Sequence, residues 1–144
     1  MSLRVAAIQH DIVWEDPDSN FQRLTPQIES AVGAGGQLLV LSEMFSTGFT
    51  MNSAKCAEAL DGASHEFLSM QAVKHQIWIT GSVPMRWEDG IAYNTLNLVA
   101  PNGDTYRYKK IHPFTFSAEP ENYGSGNEFL QVDIGGTRIT FFVC

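Results

Sequence analysis

Three side chains of the kinds used in acyl transfer each follow a run of residues typical of a β-strand. Glu43 comes two residues after an apolar run, Lys110 ends a run that contains two tyrosines, and Cys144 ends the β-branched and aromatic run 137–144. Open α/β sheets bind ligands at the carboxyl ends of their strands, so we expect the three to meet at one edge. Together they would supply a base, a cation for an oxyanion and a nucleophile.

Each of the three residues also has a possible structural role that involves no catalysis. Cys144 could be a small buried apolar residue, because free cysteines are among the most buried residue types. Glu43 could accept hydrogen bonds from the loop that follows it, and Lys110 could be a charge on an edge strand. We interpret the three as one site because their combination is more specific than any member.

The elements that must position these side chains alternate between strands and helices at first. The sequence predicts strands at residues 3–9, 37–41 and 77–82, with the first two buried on both faces. Between the first two, an apolar stripe predicts a helix that begins near Asp16. Pro26 lies inside this pattern, so the helix either kinks there or begins later with Thr25 as its cap. Ser64 is the predicted cap of a second helix.

The second half of the chain is predicted to contain two antiparallel pairs of strands. Runs at 91–99 and 105–110 flank Asn102-Gly103, and runs at 128–134 and 137–144 flank Gly135-Gly136. Residues 42–62 show no sustained period and are predicted to form a long loop, which is a common place for functional residues. The sequence thus predicts one α/β domain, or part of one, over residues 1–144.

Composition excludes several classes of function. The 144 residues are 44% hydrophobic and carry a net charge of −7, without a broad basic face, which disfavours nucleic acid or an anionic membrane as partner. No run is long enough for a membrane span and the N-terminus lacks the layout of a signal peptide, so we expect a cytoplasmic protein.

Several polar residues are expected to be structural. His10, His65 and His75 have no metal-binding spacing with each other or with Cys56, so no metal site is predicted. Cys56 is expected to be a bystander. Asn94 and Asn97 in the fourth strand are expected to satisfy backbone groups.

Three ordered motifs carry a family resemblance. They read LVLSEMFSTGF at residues 39–49, YKKIHPF at 108–114 and ITFFVC at 139–144. With them the chain resembles the carbon–nitrogen hydrolases, or nitrilase superfamily, whose catalytic Glu, Lys and Cys occur in this order. The family lysine stands two residues before a histidine, which selects Lys110 over Lys109.

The resemblance implies a fold, a chemistry and further site residues. It implies the N-terminal half of a four-layer αββα sandwich, incomplete at its C-terminal side because family members continue beyond the cysteine. It implies cysteine-dependent hydrolysis of a small linear amide by a homodimer or larger homo-oligomer, with no cofactor. Glu119 corresponds to a second family glutamate that positions lysine and substrate. Phe45, Phe49 and Phe114 are the expected pocket residues.

The substrate and one competing function stay open at this stage. The residues around Glu43 and Glu119 look most like the omega-amidase branch, whose substrates are 2-oxo acid amides such as 2-oxoglutaramate. Another amidase, a nitrilase or an N-carbamoyl hydrolase would use the same triad. A non-catalytic nucleotide- or protein-binding α/β domain would need a glycine loop after the first strand, and residues 8–13 contain no glycine.

Overall fold

The computed structural model describes residues 2–144, which is every residue except Met1. The strands are β1 Val5–Ile8, β2 Leu38–Leu41, β3 Trp78–Arg86, β4 Ala92–Val99, β5 Thr105–Lys109, β6 Leu130–Ile134 and β7 Thr137–Phe141. The helices are α1 Pro17–Gly33, α2 Ser53–Cys56, α3 Ala63–His75 and α4 Glu119–Asn122.

Five of the strands form one mixed sheet in the order β1-β2-β3-β4-β5. Strands β1, β2 and β3 are parallel, whereas β4 is antiparallel to both β3 and β5. Strand β5 therefore runs in the same direction as β2. The carboxyl ends of β2 and β5 and the amino end of β4 consequently lie at one edge of the sheet.

Helix α1 begins where the sequence predicted and continues through its proline. The Asp16 side chain accepts a hydrogen bond from the Ser19 backbone N–H at 3.1 Å, which caps the first turn. Pro26 lies within the helix. The alternative start with Thr25 as cap is wrong, because the Thr25 hydroxyl donates to the Phe21 carbonyl at 2.8 Å inside the helix.

Helix α3 is capped by a residue from the preceding segment rather than by Ser64 as predicted. The Glu58 carboxylate accepts from the Ser64 backbone N–H at 2.8 Å and from its hydroxyl at 2.6 Å. The backbone of Glu58 also pairs with β3, since its N–H donates to Pro84 and its carbonyl accepts from Arg86. The segment predicted as a loop is thus tied to the sheet, and it contains the one-turn helix α2.

Within residues 2–144, strand β1 lies at the edge of the sheet, where it is not buried on both faces as predicted. Val5 is 56% exposed, whereas Ile8 is buried against the helices. An apolar run looks the same at the edge and in the middle of a sheet, and among the strands of residues 2–144 β1 has a neighbour on one side only. Strand β2, with two neighbours, has three of its four residues buried.

The predicted hairpin between β4 and β5 is present with the predicted turn. Gly103 has a φ of +90°, which the Asn-Gly step accommodates. The final pair, β6 and β7, forms a separate two-stranded sheet. Strand β7 ends at Phe141, earlier than predicted, and most of its residues are not buried. The prediction that Cys144 ends a buried strand is therefore wrong for this chain.

Two cores define the layers of the fold. Helices α1 and α3 cover one face of the five-stranded sheet, and the two-stranded sheet covers the other. The helix-side core includes Leu24, Ile28, Leu39, Phe45, Phe67, Leu68 and Ile79, and the opposite core includes Leu38, Leu96, Leu98, Tyr108, Ile134 and Phe141. This layering confirms the predicted α/β class. No helix within residues 2–144 is long and apolar enough to cross a membrane.

Candidate active site

Glu43, Lys110 and Glu119 converge at the edge of the sheet where β2 and β5 end. Glu43 follows β2 by two residues, Lys110 follows β5 directly, and Glu119 is the first residue of α4. The Lys110 Nζ lies 2.8 Å from Glu43 Oε1 and 2.9 Å from Glu119 Oε2. One ammonium thus bridges two carboxylates.

The three charged side chains of this cluster differ in their exposure to solvent, and burial affects the pKa of Lys110. The side chains of Lys110 and Glu119 are 0% exposed and that of Glu43 is 32% exposed. Burial alone would lower the pKa of Lys110, but hydrogen bonds and charge attraction from Glu43 and Glu119 outweigh it and raise the pKa above its ordinary value. The lysine is therefore a permanent cation near neutral pH.

Asn94 completes the cluster, although the sequence analysis predicts only contacts with backbone groups for it. Its Nδ2 donates to Glu43 Oε1 at 2.8 Å and to Glu119 Oε1 at 3.2 Å. Its backbone carbonyl accepts from the Lys110 N–H at 2.9 Å, so the two residues face each other across β4 and β5. The contact with Glu43 depends on the strand order, which brings the start of β4 beside the end of β2. Asn97, in contrast, donates to a backbone carbonyl as predicted.

The loop after Glu43 turns sharply and is held from β3. Met44 has a φ of +48°, a conformation that costs a non-glycine residue about 1 kcal/mol or more. Its backbone N–H donates to the Ser82 hydroxyl at 2.8 Å, and its carbonyl accepts from the Gly48 N–H at 2.8 Å. These contacts fix the position from which Glu43 reaches Lys110.

The loop that carries Glu119 is held by several short contacts. The Phe114 backbone N–H donates to Glu119 Oε2, and the Glu119 N–H donates to the Ser117 hydroxyl at 3.1 Å. A Cβ on Gly126 would lie 2.2 Å from the Lys109 carbonyl oxygen, so only glycine permits the chain to return so close to β5. This loop closes over the lysine.

The two cysteines lie in different surroundings. Cys144 is exposed and free, three residues beyond the end of β7. Within residues 2–144 its thiol makes no hydrogen bond to Glu43 or Lys110, so its approach to them stays a prediction. Cys56 is buried, and burial raises the pKa of its thiol.

The three predicted pocket aromatics have different positions. Phe45 is fully buried in the helix-side core, with its ring 6.3 Å from that of Phe67, where it supports the sheet instead of lining an open pocket. The Phe49 ring centre lies 5.2 Å from Lys110 Nζ. The Phe114 side chain is half exposed beside the loop that carries Glu119.

Comparison with known proteins decides the family. The family model described as carbon-nitrogen hydrolase matches residues 4–144. This chain belongs to the carbon-nitrogen hydrolase family. The predicted family membership is confirmed.

Named relatives of this carbon-nitrogen hydrolase chain include omega-amidases. Omega-amidase YafV of Yersinia enterocolitica is 35% identical over 147 residues, and that of Escherichia coli is 32% identical over 142 residues. Each match covers 99% of this chain and 54% of the relative. The chain therefore spans about half the length of the curated relatives it matches.

A solved structure shares the fold. XC1258 from Xanthomonas campestris, a CN-hydrolase superfamily protein with an arsenic adduct in its active site, is 34% identical, with a TM-score of 0.93 over 99% of this chain and 53% of its own. This similarity confirms the α/β fold class for the carbon-nitrogen hydrolase chain.

Two histidines of this carbon-nitrogen hydrolase chain are a packed ring and a hydrogen-bonded ring. His10 is buried, and the His65 Nε2 lies 2.9 Å from the Thr105 hydroxyl. Burial lowers the pKa of both rings. Within residues 2–144, no group of three or more His, Cys, Asp or Glu side chains is placed to hold a metal ion.

The buried ammonium generates a prediction about stability. Lys110→Met in the whole protein should lower the free energy of unfolding by about 3–5 kcal/mol, because it leaves two carboxylates together without their cation. Urea denaturation checks this. The neighbouring Lys109→Met is the control and should cost about 1 kcal/mol, since Lys109 is partly exposed beside Trp87 and Tyr93. Equal losses in the two variants would contradict the account.

A second prediction concerns the two thiols. Brief treatment with iodoacetamide should modify Cys144 faster than Cys56, because Cys56 is buried with a raised thiol pKa. Mass spectrometry of the digested protein measures both rates. Equal labelling would show that Cys144 is no more accessible or reactive than a packing residue.

Proposed function

We propose that the protein hydrolyses the carbon–nitrogen bond of a small linear amide through a thioester on Cys144. The observation that carries the proposal is the buried Lys110 ammonium held between Glu43 and Glu119. Membership in the carbon-nitrogen hydrolase family and the similarity to omega-amidases support it. Glu43, Lys110 and Cys144 form the proposed catalytic triad, with Glu119 as a fourth member.

In the first half-reaction, the Glu43 carboxylate takes the proton of the Cys144 thiol. The sulfur electron pair forms a bond to the amide carbon, and the carbonyl π electrons move to the oxygen. The Lys110 ammonium stabilises this oxyanion, because it is already oriented and desolvated before the reaction. When the oxyanion collapses, the carbon–nitrogen bond breaks and Glu43 returns its proton to the leaving nitrogen. A primary amide thus releases ammonia and leaves a thioester.

In the second half-reaction, Glu43 takes a proton from water as the water oxygen attacks the thioester carbon. The carbon–sulfur bond then breaks, the carboxylic acid is released, and the proton on Glu43 returns to the sulfur. One carboxyl group serves both half-reactions. Glu119 keeps Lys110 in place throughout, because it pairs with the side of the ammonium that Glu43 leaves free.

We further propose that the substrate is a 2-oxo acid with a terminal amide, such as 2-oxoglutaramate. The relatives named omega-amidases support this choice. Phe49, whose ring lies near Lys110, and Phe114 would contact a short chain that carries a planar amide. Phe45 is left out of this set because it is fully buried in the core. The family resemblance also favours a homo-oligomer.

Ammonia release from a panel of substrates tests this proposal. The whole protein should release ammonia from 2-oxoglutaramate or 2-oxosuccinamate at least about tenfold faster than from an aliphatic nitrile or an N-carbamoyl amino acid, a difference of about 1.4 kcal/mol in transition-state binding. Cys144→Ala should abolish the release and Cys56→Ala should leave it intact. Ammonia release that is faster by the same factor from a nitrile or a carbamoyl compound would refute the omega-amidase assignment. Retained activity in Cys144→Ala would refute the triad.

A further inference from the structure

The two oxygens of the Glu43 carboxylate are not equivalent. Glu43 Oε1 accepts two hydrogen bonds of 2.8 Å, one from Lys110 Nζ and one from Asn94 Nδ2. Glu43 Oε2 accepts no hydrogen bond within residues 2–144, and the side chain is 32% exposed. One oxygen is thus fixed in the interior, and the other is available to a reacting group.

The surroundings of Asn94 fix the orientation of its side-chain amide. Its side chain is 1% exposed, and its Nδ2 donates to Glu43 and to Glu119. The opposite orientation of the amide would point its oxygen at two carboxylates, which have no proton to donate when ionised, so the carboxylates fix the orientation. The Asn94 Oδ1 is buried and has no hydrogen-bond partner within residues 2–144. A side chain present for packing alone would not need to bury an unpaired acceptor.

We propose that Asn94 is a positioning residue that holds Glu43 Oε1 and thereby makes Glu43 Oε2 the oxygen that exchanges the proton with the Cys144 thiol. The inference rests on the proposed function, because it assigns an atom to the base of that reaction. Lys110 alone restricts the carboxylate less, because the terminal torsion of a glutamate has a broad range of allowed angles. A second donor on the same oxygen, from a different strand, narrows that range.

Asn97 offers a matched control on the same strand. It is 0% exposed, and its Nδ2 donates to the Thr95 carbonyl, with Met85 sulfur as a second contact. Its Oδ1 accepts from Arg107 at 2.9 Å, and within residues 2–144 Asn97 makes no hydrogen bond to Glu43 or Glu119. Substitution of Asn97 therefore reports the cost of losing a buried asparagine from β4 without disturbing Glu43.

The test compares Asn94→Ala, Asn94→Asp and Asn97→Ala in the whole protein. Asn94→Asp keeps the shape of the side chain but replaces the donor with an acceptor. Both Asn94 variants should lower kcat by between about tenfold and a hundredfold with little change in KM, because a misplaced base affects the chemical step more than substrate binding. Folded Asn97→Ala should keep its kcat. Thermal unfolding, followed by circular dichroism, compares the folds of all variants.

Alkylation of Cys144 by iodoacetamide gives a second readout that does not need turnover. Near pH 7 the thiol of the Asn94 variants should react more slowly than that of the unmodified protein. The difference should close above about pH 9, where thiols ionise without a neighbouring base. A structural defect would instead slow or speed the reaction by a similar factor at every pH. Asn97→Ala should follow the unmodified protein across the range.

The outcomes separate this inference from the proposed function. If the unmodified protein hydrolyses no amide but the alkylation rates differ as predicted, the proposed function fails and the positioning role stands. If Asn94→Ala and Asn94→Asp are folded and match Asn97→Ala in kcat and in the pH dependence of alkylation, the positioning role is overturned. It is also overturned if both Asn94 variants fail to fold, because Asn94 would then be required for the fold itself.

Discussion

An ammonium group that is 0% exposed constrains everything around it, because a buried charge must be paired and hydrogen-bonded to be tolerated. Lys110 meets this requirement with two carboxylates from different segments of the chain, Glu43 and Glu119. Two carboxylates this close together need a second hydrogen-bond donor besides Lys110. Asn94 Nδ2 donates to both of them. The resulting cluster is a polar network in which each member requires the next.

The sheet and its loops are arranged so that these side chains can meet. Strands β2 and β5 run in the same direction, and the antiparallel β4 between β3 and β5 begins at the edge where they end. The turn at Met44, held by the Ser82 hydroxyl, directs the Glu43 side chain toward Lys110. The hydroxyl of Tyr123, just after α4, donates to the Thr50 carbonyl at 2.8 Å and so joins the Glu119 loop to the Glu43 loop.

The sequence predicted the parts of this site that depend on strand ends and motifs. Glu43 and Lys110 could be expected to meet because both follow strands, and Glu119 was identified through the family resemblance. The contacts of Asn94 with Glu43 and Glu119 differ from the predicted backbone role, because they depend on the strand order that brings the start of β4 beside the ends of β2 and β5, and residue patterns do not specify that order. Phe45 lies in the helix-side core and not in the expected pocket, and an aromatic side chain after a strand looks the same in sequence in both places. Strand β1 was predicted as buried because an apolar run does not reveal its place in the sheet order.

The central claim is that the Cys144 thiol joins the Lys110 cluster. The most direct test is a crystal structure of the whole protein with its cysteines reduced, from which the distances of the Cys144 sulfur to Glu43 Oε2 and to Lys110 Nζ are read. The account predicts distances of about 3–5 Å to both, as a nucleophile and its base require. A sulfur more than about 10 Å from either group would contradict the mechanism.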